Sequence, residues 1–249
     1  MEDGQPPLHF EDIIGENMLH QLDEWDRYVR QRYLELADHF GLRLFEDCLH
    51  LHSRLLLSTV IEIPGFLPKF ARSSSVQHVV AASAVGSFRN LRVAYKLLME
   101  GYFAEMHNIL RMVEQWCECA TVVEAFPEIA GQILQHGMQK KHIGTYLVRL
   151  RDANTEVGEL YRGMRKTFHM LSQRAHPLPA AFRLITREND EALYVSGNLS
   201  KEMFGTDALF LASMGRNALV ALRRHFQETP SDWNATFEDR GNRILLMQP

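Results

Sequence analysis

Three residues of this chain have the types and placement for one polar centre: Arg111, Glu114 and His176. An arginine grips an anion through two parallel N–H bonds. A carboxylate beside an imidazole raises its pKa and holds one tautomer, and the imidazole then exchanges a proton near neutral pH. His176 stands just beyond an expected helix end and is followed by Pro177, which aims the ring. The plainer role for it is to bond the open carbonyls of that helix end. Arg174 lies two residues before it. Arg162 and His169, seven apart, fall on nearly one face of the same helix and form a second Arg/His pair.

No metal or cofactor is expected beside these groups. Cys117-Glu-Cys119 and His50-Leu-His52 place their ligands two residues apart, so on a helix they point about 200° away from each other and cannot chelate one ion. Packing is the expected role of these residues. The sequence holds no Gly-rich phosphate loop, no HExxH and no nucleophile elbow.

The elements that must position these residues read as helices. Apolar residues advance by three and four from Met18 to Phe40, and Gly41 ends that pattern. A leucine-rich helix follows over about 43–61 and stops at Pro64-Gly65. Ser73 to Ser75 offer an N-cap for a helix over about 76–99, whose run Ala81-Ala82-Ser83-Ala84-Val85-Gly86 lets a neighbour approach closely.

Beyond a break at Gly101, Phe103 to Ala125 form a long helix ended by Pro127. Its wheel puts Ile109, Leu110, Met112, Val113 and Trp116 on one face, with His107, Arg111, Glu114 and Glu118 opposite. That ridge is either a solvated face laced with ion pairs or the polar wall of an internal cleft. Shorter helices cover about 128–136 and 138–152. The next, about 155–172, carries a core stripe of Val157, Leu160, Tyr161, Met164, Phe168 and Leu171, and the prolines at 177 and 179 close it. Two β-compatible runs around Glu188-Asn189-Asp190 predict a small hairpin near 181–197, and a last helix spans about 200–227. The fold class is therefore all-α: one domain over 1–249, a bundle of seven or eight helices with one small β-hairpin. Residues 1–12 form a loose arm, and 229–249 a peripheral tail.

Composition agrees with a folded domain, at 46% hydrophobic and 10% aromatic residues. No apolar run reaches the roughly 18 residues of a membrane span, so no membrane partner is expected. The acidic start MEDGQPPLHFEDII is the reverse of a secretory signal, and three cysteines in so large a chain fit reduced thiols; both point to the cytoplasm. Charge is unevenly spread. Residues 1–62 hold 13 acidic against 5 basic side chains, and residues 137–187 hold 10 basic against 3 acidic. The basic segment either docks on the acidic N-terminal helices or takes a nucleic acid or nucleotide-like anion; a protein partner or homo-oligomer is the other partner class.

Two stretches together carry a resemblance. Tyr95-Lys-Leu-Leu-Met-Glu-Gly101-Tyr-Phe-Ala-Glu105, continuing to Arg111-Met-Val-Glu114, precedes Tyr161, Leu171-Ser172 and His176-Pro177. In order and spacing this resembles a bacterial family of helical proteins catalogued as a domain of unknown function. Met106 departs from it, standing where alanine is expected. The resemblance implies that Arg111, Glu114 and His176 share one polar centre. Arg162-x6-His169 resembles the outer limit of the catalytic motif of HEPN-type ribonucleases. Two functions follow: a non-enzymatic helical binding module in a regulatory or defence setting, or a metal-independent HEPN-like ribonuclease or phosphodiesterase using Arg and His.

Overall fold

Seven α-helices and one 3-10 turn stand in the computed structural model, which describes residues 18–36, 42–43, 45–50, 74–175, 197 and 200–223. In chain order they are α1 (Met18–Glu35), α2 (Ser75–Met99), α3 (Phe103–Ala125), the 3-10 turn Pro127–Ile129, α4 (Ala130–His136), α5 (Lys140–Asp152), α6 (Glu156–Ala175) and α7 (Lys201–Arg223). Residues 42–43 and 45–50 are also helical. Among the described residues there is no strand, and no helix is long and apolar enough to cross a membrane. The hairpin expected near 181–197 lies outside the described residues, apart from Gly197. So do the arm at 1–12, the tail at 229–249 and most of the helix expected over 43–61.

Local chemistry sets the boundaries of the central pair. Ser74 caps α2 in a reciprocal box: the Gln77 N–H donates to the Ser74 hydroxyl at 3.4 Å, and the Ser74 N–H donates to the Gln77 side-chain oxygen at 3.2 Å. The chain turns at Gly101, where the Tyr102 N–H donates to the Leu97 carbonyl at 2.8 Å. α3 ends where Pro127 has no N–H to continue it, and that proline opens the 3-10 turn.

α3 is the axis of the bundle, packed by α2, α6, α7 and α5. Against α2 the fit is close, because a Cβ on Gly86 would collide with the Trp116 indole. Ala84 and Ser87 keep the same seam narrow, and the Ser87 hydroxyl lies 3.7 Å from the Cys117 thiol. One apolar cluster gathers Tyr33, Phe45, Leu98, Phe103, Leu110 and Phe204. A second gathers Val80, Val123, Ile129, Ile133, Ile143 and Leu150 around α4 and α5.

α1 clips the start of α7. The Trp25 indole donates to the Gly197 carbonyl at 2.7 Å, and Asp26 accepts from the Gly197 N–H and from the Tyr102 hydroxyl at 3.0 and 2.6 Å. The Tyr33 ring stacks on Phe204 with centroids 4.2 Å apart. Each burial of an aromatic side chain here removes apolar surface from water, worth about 2–3 kcal/mol.

Candidate functional site

The polar ridge of α3 is buried. His107 is wholly inaccessible, Glu114 is 4% exposed and Glu118 6%. Of the wheel's supposed inner face, Met112 is 42% exposed, while Ile109 and Trp116 are only partly covered. The solvated-face reading fails because α3 is enclosed on several sides. α7 and α6 then lie over the ridge, and each side chain in it meets a different neighbour.

His107 Nε2 lies 3.2 Å from Asp207 Oδ1 of α7, and its ring packs 5.5 Å from that of Phe210. The Arg111 guanidinium lies 5.8 Å from the centre of the Phe168 ring on α6, and that of Arg165 lies 4.7 Å from it. Both are within cation–π range. Glu118 accepts from Arg165 at 3.5 Å and from the Tyr161 hydroxyl. Glu114 makes no hydrogen bond or ion pair with another described residue.

These surroundings shift the acids. Burial, and then the nearby Glu118 charge, push Glu114 up to about 8, so its carboxyl is neutral at pH 7. Burial also lifts Glu118, against the opposing pull of Arg165, Tyr161 and Lys140. Tyr161 is pushed up to about 12, first by burial and then by Glu118. Cys119 rises to about 12 through burial and the Glu118 charge, and buried Cys117 rises further still. Neither thiol ionises near neutral pH, so neither is a nucleophile.

Beside this ridge α3, α5 and α6 leave a groove of about 1240 Å³. Met112, Trp116, Leu147, Val148 and Phe168 give it an apolar lining. Lys140, Arg151, Arg162 and Arg165 bring four cations to the same walls, with Glu118 and Tyr161 among them. Gly137, at φ +64°, turns the chain from α4 toward α5 at the groove's edge, a conformation that favours glycine. Arg162 donates to the carbonyls of Arg151 and Ala153 at 2.8 Å each, which caps the C-terminal end of α5 and holds the guanidinium in place. Arg151 pairs with Asp152 at 2.8 Å. Thus, among the described residues, the carboxylate partners of Arg151 and Arg165 are a chain neighbour and an α3 residue.

Of the residues singled out from sequence, Arg111 and Glu114 share the ridge, and Arg162 lines the groove. His169 is exposed, bonded to Gln173 at 3.2 Å, and is not among the groove's lining residues. His176 lies outside the described residues, as does the Arg174 side chain. The expected meeting of Arg111, Glu114 and His176 depends on that histidine.

Sequence reasoning passed over Asp207, a buried acid of α7, and placed Tyr161 in the core, where it lies, without seeing that it also lines the groove with Phe168. The spacing Tyr161 to Arg165, one helical turn, was the available signal, since it sets a hydroxyl and a guanidinium side by side. Among the described residues no group of three or more His, Cys, Asp or Glu could hold a metal ion. Compared with family models, curated proteins and solved structures, the chain matches none of them.

Proposed function

We propose that the protein is a non-enzymatic helical binding module that holds a nucleotide-like anion in the groove between α3, α5 and α6. One observation carries this reading: four cationic side chains from two helices share walls with an aromatic and aliphatic lining. Pockets of this composition bury a flat apolar ligand and orient it through a few charged groups. The phosphates meet Lys140, Arg151 and Arg165, with Arg162 fixed behind them, and guanidinium forks match phosphate oxygens. The base lies against Trp116 and Phe168. Free nucleotides belong to the cytoplasm, the compartment expected from the reduced thiols.

Titration with ADP, followed by calorimetry and tryptophan fluorescence, tests the reading directly. Binding in the micromolar range, about −8 kcal/mol, is the expected outcome. Replacing Lys140 and Arg151 together by alanine should weaken it by roughly tenfold or more, the scale of one lost charged contact. Absence of any heat or fluorescence change at millimolar ADP refutes the proposal. Cleavage of single-stranded RNA that disappears in Arg162→Ala and His169→Ala would transfer the function to the ribonuclease alternative.

A further inference from the structure

Glu118 stands where an anion-binding groove least needs a carboxylate. It lines the cavity with Arg165, yet its side chain is only 8% exposed, whereas that of Arg165 is 42% exposed. The ion pair is therefore one-sided. Arg165 can turn to a ligand in the groove without leaving water, but Glu118 meets the groove with only a small part of its surface. A buried carboxylate stripped of its cation is strongly disfavoured and relieves the cost by taking up a proton.

The charged and titratable groups facing Glu118 make that exchange one-directional. From α6 come Arg165 and the Tyr161 hydroxyl; from the start of α5 comes Lys140; on α3 itself are Glu114 and Cys119. Arg165 and Lys140 are the two cations that favour the ionised form of Glu118 against its burial, and both line the groove. Tyr161 keeps its proton and still offers a hydrogen bond. Near pH 7 Glu114 and Cys119 are neutral and add no compensating positive charge. An anion drawing on Arg165 and Lys140 therefore removes both supports at once.

We propose, on the reading that the groove takes a nucleotide-like anion, that Glu118 is its specificity-determining residue: the ligand displaces Glu118 from Arg165, and Glu118 takes one proton from solvent. The Arg165–Glu118 pair breaks, Arg165 bonds a phosphate oxygen instead, and the new proton sits on a Glu118 oxygen. The ionised Glu118 thereby screens the groove against weak anions. Only a ligand with enough negative charge to compete for both cations opens it.

The test is calorimetry of the full chain with ADP at pH 7, where Glu114 still holds its proton, in two buffers of different ionisation enthalpy. The terminal phosphate of ADP is largely ionised there and cations can only release its remaining proton, so net uptake belongs to the protein. The native protein should take up a measurable amount of proton, at most one per ADP, and its affinity should fall by up to tenfold per pH unit as pH rises. Glu118→Gln should take up none, bind ADP roughly tenfold more tightly and lose the pH dependence. The native two-buffer measurement decides the matter even where the variant does not fold. ADP binding with no proton uptake, or a Glu118→Gln variant that binds more weakly than native, overturns the role of Glu118 and leaves the groove as an anion site. Failure of ADP to bind either protein instead removes the groove reading on which this inference rests.

Discussion

The two sides of α3 solve the problem of packing a helix in opposite ways. Toward α2 the seam is made of small side chains, and Gly86 lets the Trp116 indole lie directly on the neighbouring backbone. Toward α6 the seam adds long polar side chains to the apolar Met164 and Leu171: Glu118, Tyr161 and Arg165 meet by hydrogen bonds, and Arg111 and Arg165 lie against Phe168. Small residues close the distance between helices and leave little beyond dispersion contacts. Long polar residues line the other seam, and the groove opens beside them. The same helix thus spends its small-residue side on cohesion and its polar side on a site.

That contrast can be broken first at Glu114, where the largest effect is expected. Its pKa of about 8 in the fold stands above the ordinary 4.5. Between those values the folded chain keeps a proton that the unfolded chain has lost. Stability therefore falls as pH rises from about 4.5 to about 8 and flattens above it, with up to about 5 kcal/mol at stake. Glu114→Gln should remove this slope, leaving the variant more stable than native at pH 8 and about equal near pH 4.5. Urea denaturation at the two pH values measures it, and equal slopes in both proteins would show that Glu114 is not the buried neutral acid described here.

The close seam is tested next by Gly86→Ala. A methyl group there meets the indole, and overpacking of this kind costs about 1–3 kcal/mol. In a chain of this size the melting temperature should fall by roughly 2–4 °C per kcal/mol. An unchanged melting temperature would mean that α2 and α3 can separate freely, and the contrast between the two seams would lose its basis.

The smallest effect belongs to the polar seam. Arg165→Ala leaves Glu118 buried without its guanidinium, but Arg165 is well exposed, so screening limits the loss to about 1 kcal/mol. Adding Glu118→Gln should recover most of that loss, because the stranded charge is then gone. A double variant no more stable than Arg165→Ala alone, by thermal melting, would show that the two side chains act separately.

Much of the scaffold was legible beforehand, and for a local reason. The bounds Phe103 to Ala125 follow from the break at Gly101, the regular apolar spacing and Pro127, all read within one turn of the residue concerned. The capping serine before α2 and the core positions Tyr161, Met164 and Leu171 of α6 follow in the same way. The polar ridge of α3 was legible as a ridge but not as a buried one. A helical wheel tells which residues share a face; it does not tell how many neighbours surround the helix, and α3 leaves only a stripe of Glu105, Asn108, Met112 and Gln115 exposed. His107 shows this well, since nothing near it in sequence announces Asp207, a hundred residues on. The groove was still less legible, because its walls come from three helices and its cations were visible only as a basic stretch.

By itself, then, the sequence determined a predominantly helical fold, the ends of its central helices, and a concentration of positive charge over 137–187 beside a set of candidate Arg, Glu and His residues. These properties rest on periodicity, caps and composition, which act over a few residues. Tertiary structure alone decided that Glu114 sits neutral in the interior, that His107 meets Asp207, and that Glu118 rather than a distant N-terminal acid takes Arg165. The reason is physical. Burial and charge pairing depend on which surfaces meet in space, and the free energies involved arise only once water has been excluded between them.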